Sequence, residues 1–257
     1  MSRIDWIYSA PAALFYRVLA RLDLGADAAS LYDPTLPPVP WARSLTDAYH
    51  AAPGRLALQW IALEVADLGA LQTRLHDPPA ALRDAAGRRL AALAADALAA
   101  EAAVPDEPDT AGDARRRTLA DRLGPPLTRL RAALWERSGD PPPLEILDVP
   151  ALRRHGRGRP DPHRHRVAVD LRQDPDHLLC QVLHEQIHPR TDPAVLGGFA
   201  PVPRDTRRGT PGHAIHAALE EAALRVGAAL IAARAPGYTA AYERWLRALG
   251  APPLTDE

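Results

Sequence analysis

At 257 residues, 47% of them hydrophobic and 25% charged, the chain can bury a sizeable core and has the composition of an ordinary globular protein. Its formal net charge of −1 gives no basis for a general nucleic-acid binder or a binder of acidic membranes. No lysine occurs, so all 31 basic residues are arginine, which with the abundant alanine points to a GC-rich coding sequence more than to a function.

The one cysteine, Cys180, allows no disulfide framework within the chain and implies no oxidising compartment. The first 25 residues are apolar in parts, but Asp5 and Pro11 interrupt them, and Arg17 and Arg21 fall at helical spacing. The segment reads as an amphipathic helix, not a secretory leader. No uninterrupted apolar run reaches about 18 residues, so no membrane span is expected and the default placement is cytoplasmic.

In chain order, "PAALFYRVLARL" from Pro11 predicts a helix, with proline tolerated in the first turn. Residues 32–41 form a proline-rich connection. Residues 54–75, apolar nearly all round at first, predict a central buried helix, and 78–104 a long alanine-rich one. The acidic stretch 105–114 reads as a loop or linker, followed by a helix over 125–139 that stops at Gly139.

The texture then changes. Residues 144–149 predict a short strand and 153–164 a basic loop. Residues 165–171 predict a half-buried strand, with Val167, Val169 and Leu171 on one face and Arg166, Ala168 and Asp170 on the other. A helix capped by Asp174 or Asp176 runs from about Pro175 to His188, followed by a long loop over 189–210. Thr210 and Pro211 open a helix to about Arg234, and a last helix over 236–249 carries Tyr238, Tyr242 and Trp245. The expected fold is therefore mainly α with a small β-sheet (α+β). A helical region, 1–140, precedes a second region, 141–257, unless the two form one continuous domain.

The chemistry concentrates in "LLCQVLHEQIHPRTDP", residues 178–193. On a helix His184 and His188 share one face and can point two imidazoles at one ion. Glu185 lies about 100° round from His184, where it can reach a water beside that ion without binding it directly. Cys180 stands one turn before His184, too far from His188 for one ion to use all three, so it reads as a packed core thiol. Asp192 follows His188 by four residues, but if Pro189 ends the helix its place is not fixed.

Two ligands do not make a tight zinc site, so a third is needed. In "GHAIHAALEEAALRVGAAL", Ile215, Leu219, Ala222, Val226 and Leu230 form the expected core stripe. His213, His216, Glu220 and Gly227 form a neighbouring stripe, and the small Ala223 and Gly227 beside Glu220 would let another helix approach closely. Glu221 falls on a different side, with Arg225. The bland alternative for both glutamates is a solvated acidic pair.

This arrangement resembles the zincin metallopeptidases, and among them the gluzincins, over about residues 144–234. In that branch a His-Glu-x-x-His helix is followed a few tens of residues later by a glutamate on a second helix, often with a small residue three positions on. Glu220 lies 32 residues after His188 and is followed by Ala223. The resemblance implies Zn2+ held by His184, His188 and Glu220, with Glu221 as the fallback third ligand. It implies Glu185 as general base and His216 or His213 as a further donor to the oxyanion, with Tyr238 and Tyr242 as weaker candidates. Pro189 departs from the family, where that position is helical. The implied substrate is a peptide or protein, with no nucleic acid and no membrane; oligomeric state is left open. The 189–210 loop could wall a cleft, with Arg204, Arg207 and Arg208 meeting an acidic group or simply solvated.

Two alternatives stand beside the zinc metallopeptidase. Glu185-x-x-His188 is also half of a di-iron bundle motif, but no second Glu-x-x-His occurs. The chain could instead be a helical protein-interaction module or an inactive zincin-like protein. His163 and His165 lack carboxylate or thiolate companions at ligand spacing and suggest no metal.

Overall fold

A computed structural model describes residues 3–23, 36–37, 39–104, 111–152, 156–160, 163–198 and 209–251. It is mainly helical with a small mixed sheet, as the α+β expectation has it. Residues 32–35 and 38 of the expected connection 32–41, residues 105–110 of the acidic stretch 105–114, and Arg204, Arg207 and Arg208 lie outside the described residues.

The chain opens with a strand, β1 (Ile4–Tyr8), where a helix was expected. Ile, Trp, Ile and Tyr suit a pleated surface, and β1 pairs in parallel with β2 (Leu144–Asp148), Ile4 opposite Leu144. A partner so distant leaves no local trace in the sequence. Ser9 then caps α1 (Ala10–Ala20), its hydroxyl accepting from the Ala12 N–H, and Pro11 sits in the first turn.

α2 (Ala42–Ala51) follows. The single helix expected over 54–75 is broken into a 3-10 segment Arg55–Trp60, α3 (Ile61–Glu64) and α4 (Leu68–His76). The break at Val65–Asp67 arises because Asp67 turns extended and caps α4, accepting from the Ala70 N–H. Asp84 caps α5 (Ala85–Ala102) in the same way.

α6 (Gly112–Trp135) begins inside the expected acidic loop and runs through Pro125 and Pro126. Each proline deletes one backbone bond. The buried stripe Leu119, Leu123, Leu127 and Leu130 offsets that loss, so the helix persists on both sides.

The sheet order is β1-β2-β4-β3. β4 (His165–Val169) runs parallel to β2. β3 (Arg157–Pro160), inside the segment expected to be a basic loop, pairs antiparallel to β4 and forms one edge.

β4 is buried throughout, not half-buried. Successive side chains alternate between faces, and each face meets its own core. Leu147, Val149 and Ala168 join the core built from α1 to α5. Leu144, Ile146, Val167 and Val169 join a second core with Leu119 to Leu130 of α6 and the helices that follow. The buried Arg166 is tolerated because Nε donates to Glu145 at 2.6 Å and Nη1 to the carbonyls of Leu63 and Val65.

α7 (Pro175–Leu196), α8 (Pro211–Arg234) and α9 (Thr239–Leu249) complete the fold. The α8 span and its Thr210 cap match expectation. Its buried stripe is rotated by one position, to Ile215, Ala223, Gly227 and Ile231. No helix among the described residues is long and apolar enough to cross a membrane.

Candidate metal centre

The site is built on α7. Asp174 caps it, one carboxylate oxygen accepting from the N–H groups of Asp176 and His177, and Pro175 supplies the first turn. From Leu178 to Leu183 the helix is buried all round, so it is pinned under the sheet before it reaches His184. Cys180 is fully buried, and burial pushes its thiol up to about 12, as a core residue and not a nucleophile.

The helix does not end at Pro189. It continues through Pro189 and Pro193 to Leu196. Proline has no N–H to give the Glu185 carbonyl, but its fixed φ is helical and upstream packing already holds the helix. The extra two turns bring Asp192 onto the face of His188, whose Nδ1 donates to Asp192 Oδ1 at 2.9 Å. That bond leaves Nε2 of His188 facing the neighbouring ring. Nε2 of His184 lies 3.1 Å away.

α8 supplies the third group. It packs tightly on α7 because Gly227 has no side chain there. An added Cβ would stand 3.3 Å from Ile187 Cδ1 and 2.5 Å from the Tyr242 hydroxyl. At that separation Glu220 reaches across, one oxygen 3.0 Å from His184 Nε2 and the other 3.7 Å from His188 Nε2. These three residues offer ligand atoms mutually within 4.8 Å and could hold a metal ion.

Their spacing fits the chemistry. Bonds of about 2.0–2.1 Å at a tetrahedral centre place neighbouring ligand atoms about 3.3 Å apart; the two imidazole nitrogens stand 3.1 Å apart, and Glu220 turns a different oxygen to each, Oε2 to His184 at 3.0 Å and Oε1 to His188 at 3.7 Å. The donor set, two imidazoles and a carboxylate, is one that several divalent transition-metal ions accept. Protons satisfy it poorly, because Nε2 of His184 cannot donate to Glu220 and accept from His188 at once. Side-chain exposure rises from 9% at His184 through 16% at His188 to 40% at Glu220, so the cluster opens on the α8 side.

Electrostatics follows from this convergence. Burial alone would raise the Glu220 carboxyl, but the bond from His184 and the charges of His184, His188 and His216 hold it far below the usual carboxylate range. Burial alone would lower His188, but the bond to Asp192 and the carboxylates of Glu185, Glu220 and Asp192 raise it to about 9.

The other expected residues are placed as follows. His216 is half-exposed with Nε2 3.7 Å from Glu220 Oε1. Its imidazole is lowered by burial against the attraction of Glu220, with Arg157 and His188 adding to the fall. His213 stands exposed one turn earlier, and its N–H meets the Thr210 hydroxyl. Glu221 is exposed and paired with Arg225. Tyr242 is buried and donates to the Leu224 carbonyl at 2.8 Å, facing the helix packing instead of the opening. Glu185 accepts from the Gly158 N–H at 2.7 Å, with its carboxylate against the edge strand β3.

Sequence reasoning missed several supporting groups. Asp192 carried a signal, its spacing from His188, that the proline concealed. Trp245 backs the His184 ring at 5.5 Å. Gln186, fully buried inside the motif, accepts from Arg131 Nε at 2.7 Å, which ties α7 to α6. His165 is 1% exposed with neither ring nitrogen hydrogen-bonded among the described residues, and burial drives it down to about 3. Nδ1 of His184 likewise has no hydrogen-bond partner among the described residues. No protein-family model, no curated protein and no solved structure matches this chain.

Proposed function

We propose that this protein is a zinc-dependent metallopeptidase of the gluzincin type, with residues 141–257 carrying a zincin-like core. The observation that carries the reading is the convergence of His184 Nε2, His188 Nε2 and the Glu220 carboxylate, with ligand atoms mutually within 4.8 Å. A zinc ion held there supplies the Lewis acidity that makes water a nucleophile near neutral pH and polarises a carbonyl.

Around it the chain's own residues have distinct tasks. Asp192 fixes the ring of His188 so that Nε2 faces the site. Glu185, the neighbour of His184 on α7, is the base that takes a proton from water and returns it to the leaving amine. Trp245 and the apolar first half of α7 exclude water from the rear of the cluster. His216, beside Glu220, is placed to donate to a developing oxyanion from the open side. The proposed substrate is a peptide or protein. Cytoplasmic placement belongs to the same proposal, as the default for a chain with no expected leader or span and a single thiol.

The test is elemental analysis of the protein beside His184→Ala and Glu220→Ala, followed by Glu185→Gln on a proteome-derived peptide pool read by mass spectrometry. About one zinc per chain, lost in both ligand variants, and cleavage abolished by Glu185→Gln with zinc retained, are expected. A folded wild type that takes up no zinc when it is supplied refutes the reading and leaves the interaction-module alternative. Zinc bound without cleavage of any peptide identifies an inactive zincin-like protein.

A further inference from the structure

The metallopeptidase reading leaves the helical N-terminal half without a task. The surroundings of β3 give it one. Arg157 Nε donates to Gln59 Oε1 at 2.7 Å, and Arg159 pairs with Glu64 at 2.8 Å. Next to β3, Arg166 of β4 donates to the carbonyls of Leu63 and Val65. Residues 59–65 therefore grip both strands.

Gln59 is itself held firmly. It is 4% exposed, its Nε2 donates to the Tyr49 hydroxyl at 2.6 Å, and its backbone carbonyl accepts from the Tyr16 hydroxyl at 2.6 Å. A buried amide with both ends engaged has one orientation, so its Oε1 offers Arg157 a fixed anchor.

Between Arg157 and Arg159 lies Gly158, whose N–H donates to Glu185 Oε2. The contact is closer than any side chain would allow. An added Cβ on Gly158 would stand 2.8 Å from Glu185 Cβ and 2.7 Å from its Oε2. An added Cβ on Gly156 would stand 3.2 Å from Glu185 Cγ. The Glu185 side chain thus lies across two glycines of "GRGR". A glycine inside a strand marks such a close approach. β3 is an edge strand with a ladder partner on one side only, so its position depends on those outside anchors as well as on β4.

We propose that the N-terminal half acts on the candidate site through β3: Gln59, by holding Arg157, keeps the Gly158 N–H against the Glu185 carboxylate. Gln59, Arg157 and Gly158 are then positioning residues for the base. This rests on the reading of Glu185 as base given above. One carboxylate oxygen is fixed by the strand, which confines the side chain to one rotamer and leaves Oε1 to exchange a proton.

The experiment is amide hydrogen exchange by NMR on the full chain, comparing wild type with Glu185→Ala, Gln59→Leu and Gln59→Glu. Arg157→Leu is included in case Gln59→Leu does not fold. The Gly158 amide is expected to exchange slowly in the wild type and about tenfold faster or more in Glu185→Ala and Gln59→Leu. Gln59→Glu, which keeps an acceptor for Arg157, restores the slow rate, and the Val167 amide in β4 is unmoved in every variant. An unchanged Gly158 rate in Gln59→Leu and Arg157→Leu overturns the proposal. Acceleration that spreads equally to Val167 also overturns it, since a loosened fold gives that result. Zinc content measured on the same samples separates the two readings. A wild type without zinc refutes the metallopeptidase, whereas a zinc-loaded wild type with an insensitive Gly158 refutes the coupling alone.

Discussion

His188 donates through Nδ1 to Asp192 at 2.9 Å, one helical turn away and across a proline. The bond fixes which ring nitrogen faces His184, and it would raise the basicity of that nitrogen towards a metal. Asp192→Asn keeps the shape and removes the charge. Zinc affinity is expected to fall by about 10- to 100-fold, measured by chelator competition, with the fold unchanged. Affinity equal to the wild type would show that Asp192 plays no part in the site.

Metal binding should carry a proton signature. With His188 raised to about 9, it is protonated in the metal-free protein at neutral pH. A metal takes the deprotonated ring, so binding expels that proton and apparent affinity rises with pH until about 9. Below that value the expected rise is about tenfold per pH unit. Titration calorimetry in two buffers of different ionisation enthalpy reads the proton count directly. A count near zero at pH 7 would mean that His188 is already neutral.

His165 sets an acid limit on stability. Its folded value, about 3, lies below the unfolded value of about 6.5, so between them the unfolded chain binds the proton and the folded one does not. Its contribution is intact above about pH 6.5 and is lost as pH falls towards 3, with a slope of at most about 1.4 kcal/mol per pH unit. His165→Leu should flatten that part of the stability curve in urea melts from pH 4 to 7. An unaltered slope would place the titrating group elsewhere.

Gly227→Ala tests the close approach of α7 and α8. The new methyl meets the Tyr242 hydroxyl and Ile187, so overpacking should cost about 1–3 kcal/mol and push Glu220 away from the histidines. Zinc affinity should drop with stability. Tyr242→Phe removes the hydroxyl, the atom nearest the new methyl, and should restore part of both. Failure of the double variant to recover would place the obstruction at the remaining ring carbon, 3.1 Å away, or at Ile187, 3.3 Å away.

What could be read from the sequence was what local pattern specifies. The pair His184 and His188, the Thr210 cap of α8 and the choice of Glu220 over Glu221 as nearer the packed face depend on helical spacing and small neighbours. What escaped depends on distant partners. Ile4 to Tyr8 are a strand because of Leu144 to Asp148, and β3 is a strand because β4 lies beside it. Arg166 reads as solvent-facing until the carbonyls of Leu63 and Val65 are seen to cover it. The largest misjudgement concerned Pro189, where a rule about isolated helices met one already pinned by nine buried residues. Asp192 was lost with it.

The pairing of β1 with β2 also bears on how the protein is made. Leu144 leaves the ribosome 140 residues after its partner Ile4. At about 5–20 residues per second that is a delay of roughly 7–30 s. Through that interval Ile4 and Trp6, which pack against the second core in the finished protein, belong to a strand with nothing to pair with. The α7 helix emerges later still. His184, His188 and Glu220 all follow β2 in the chain, so any ion they take up would be captured only after both β1 and β2 have been made.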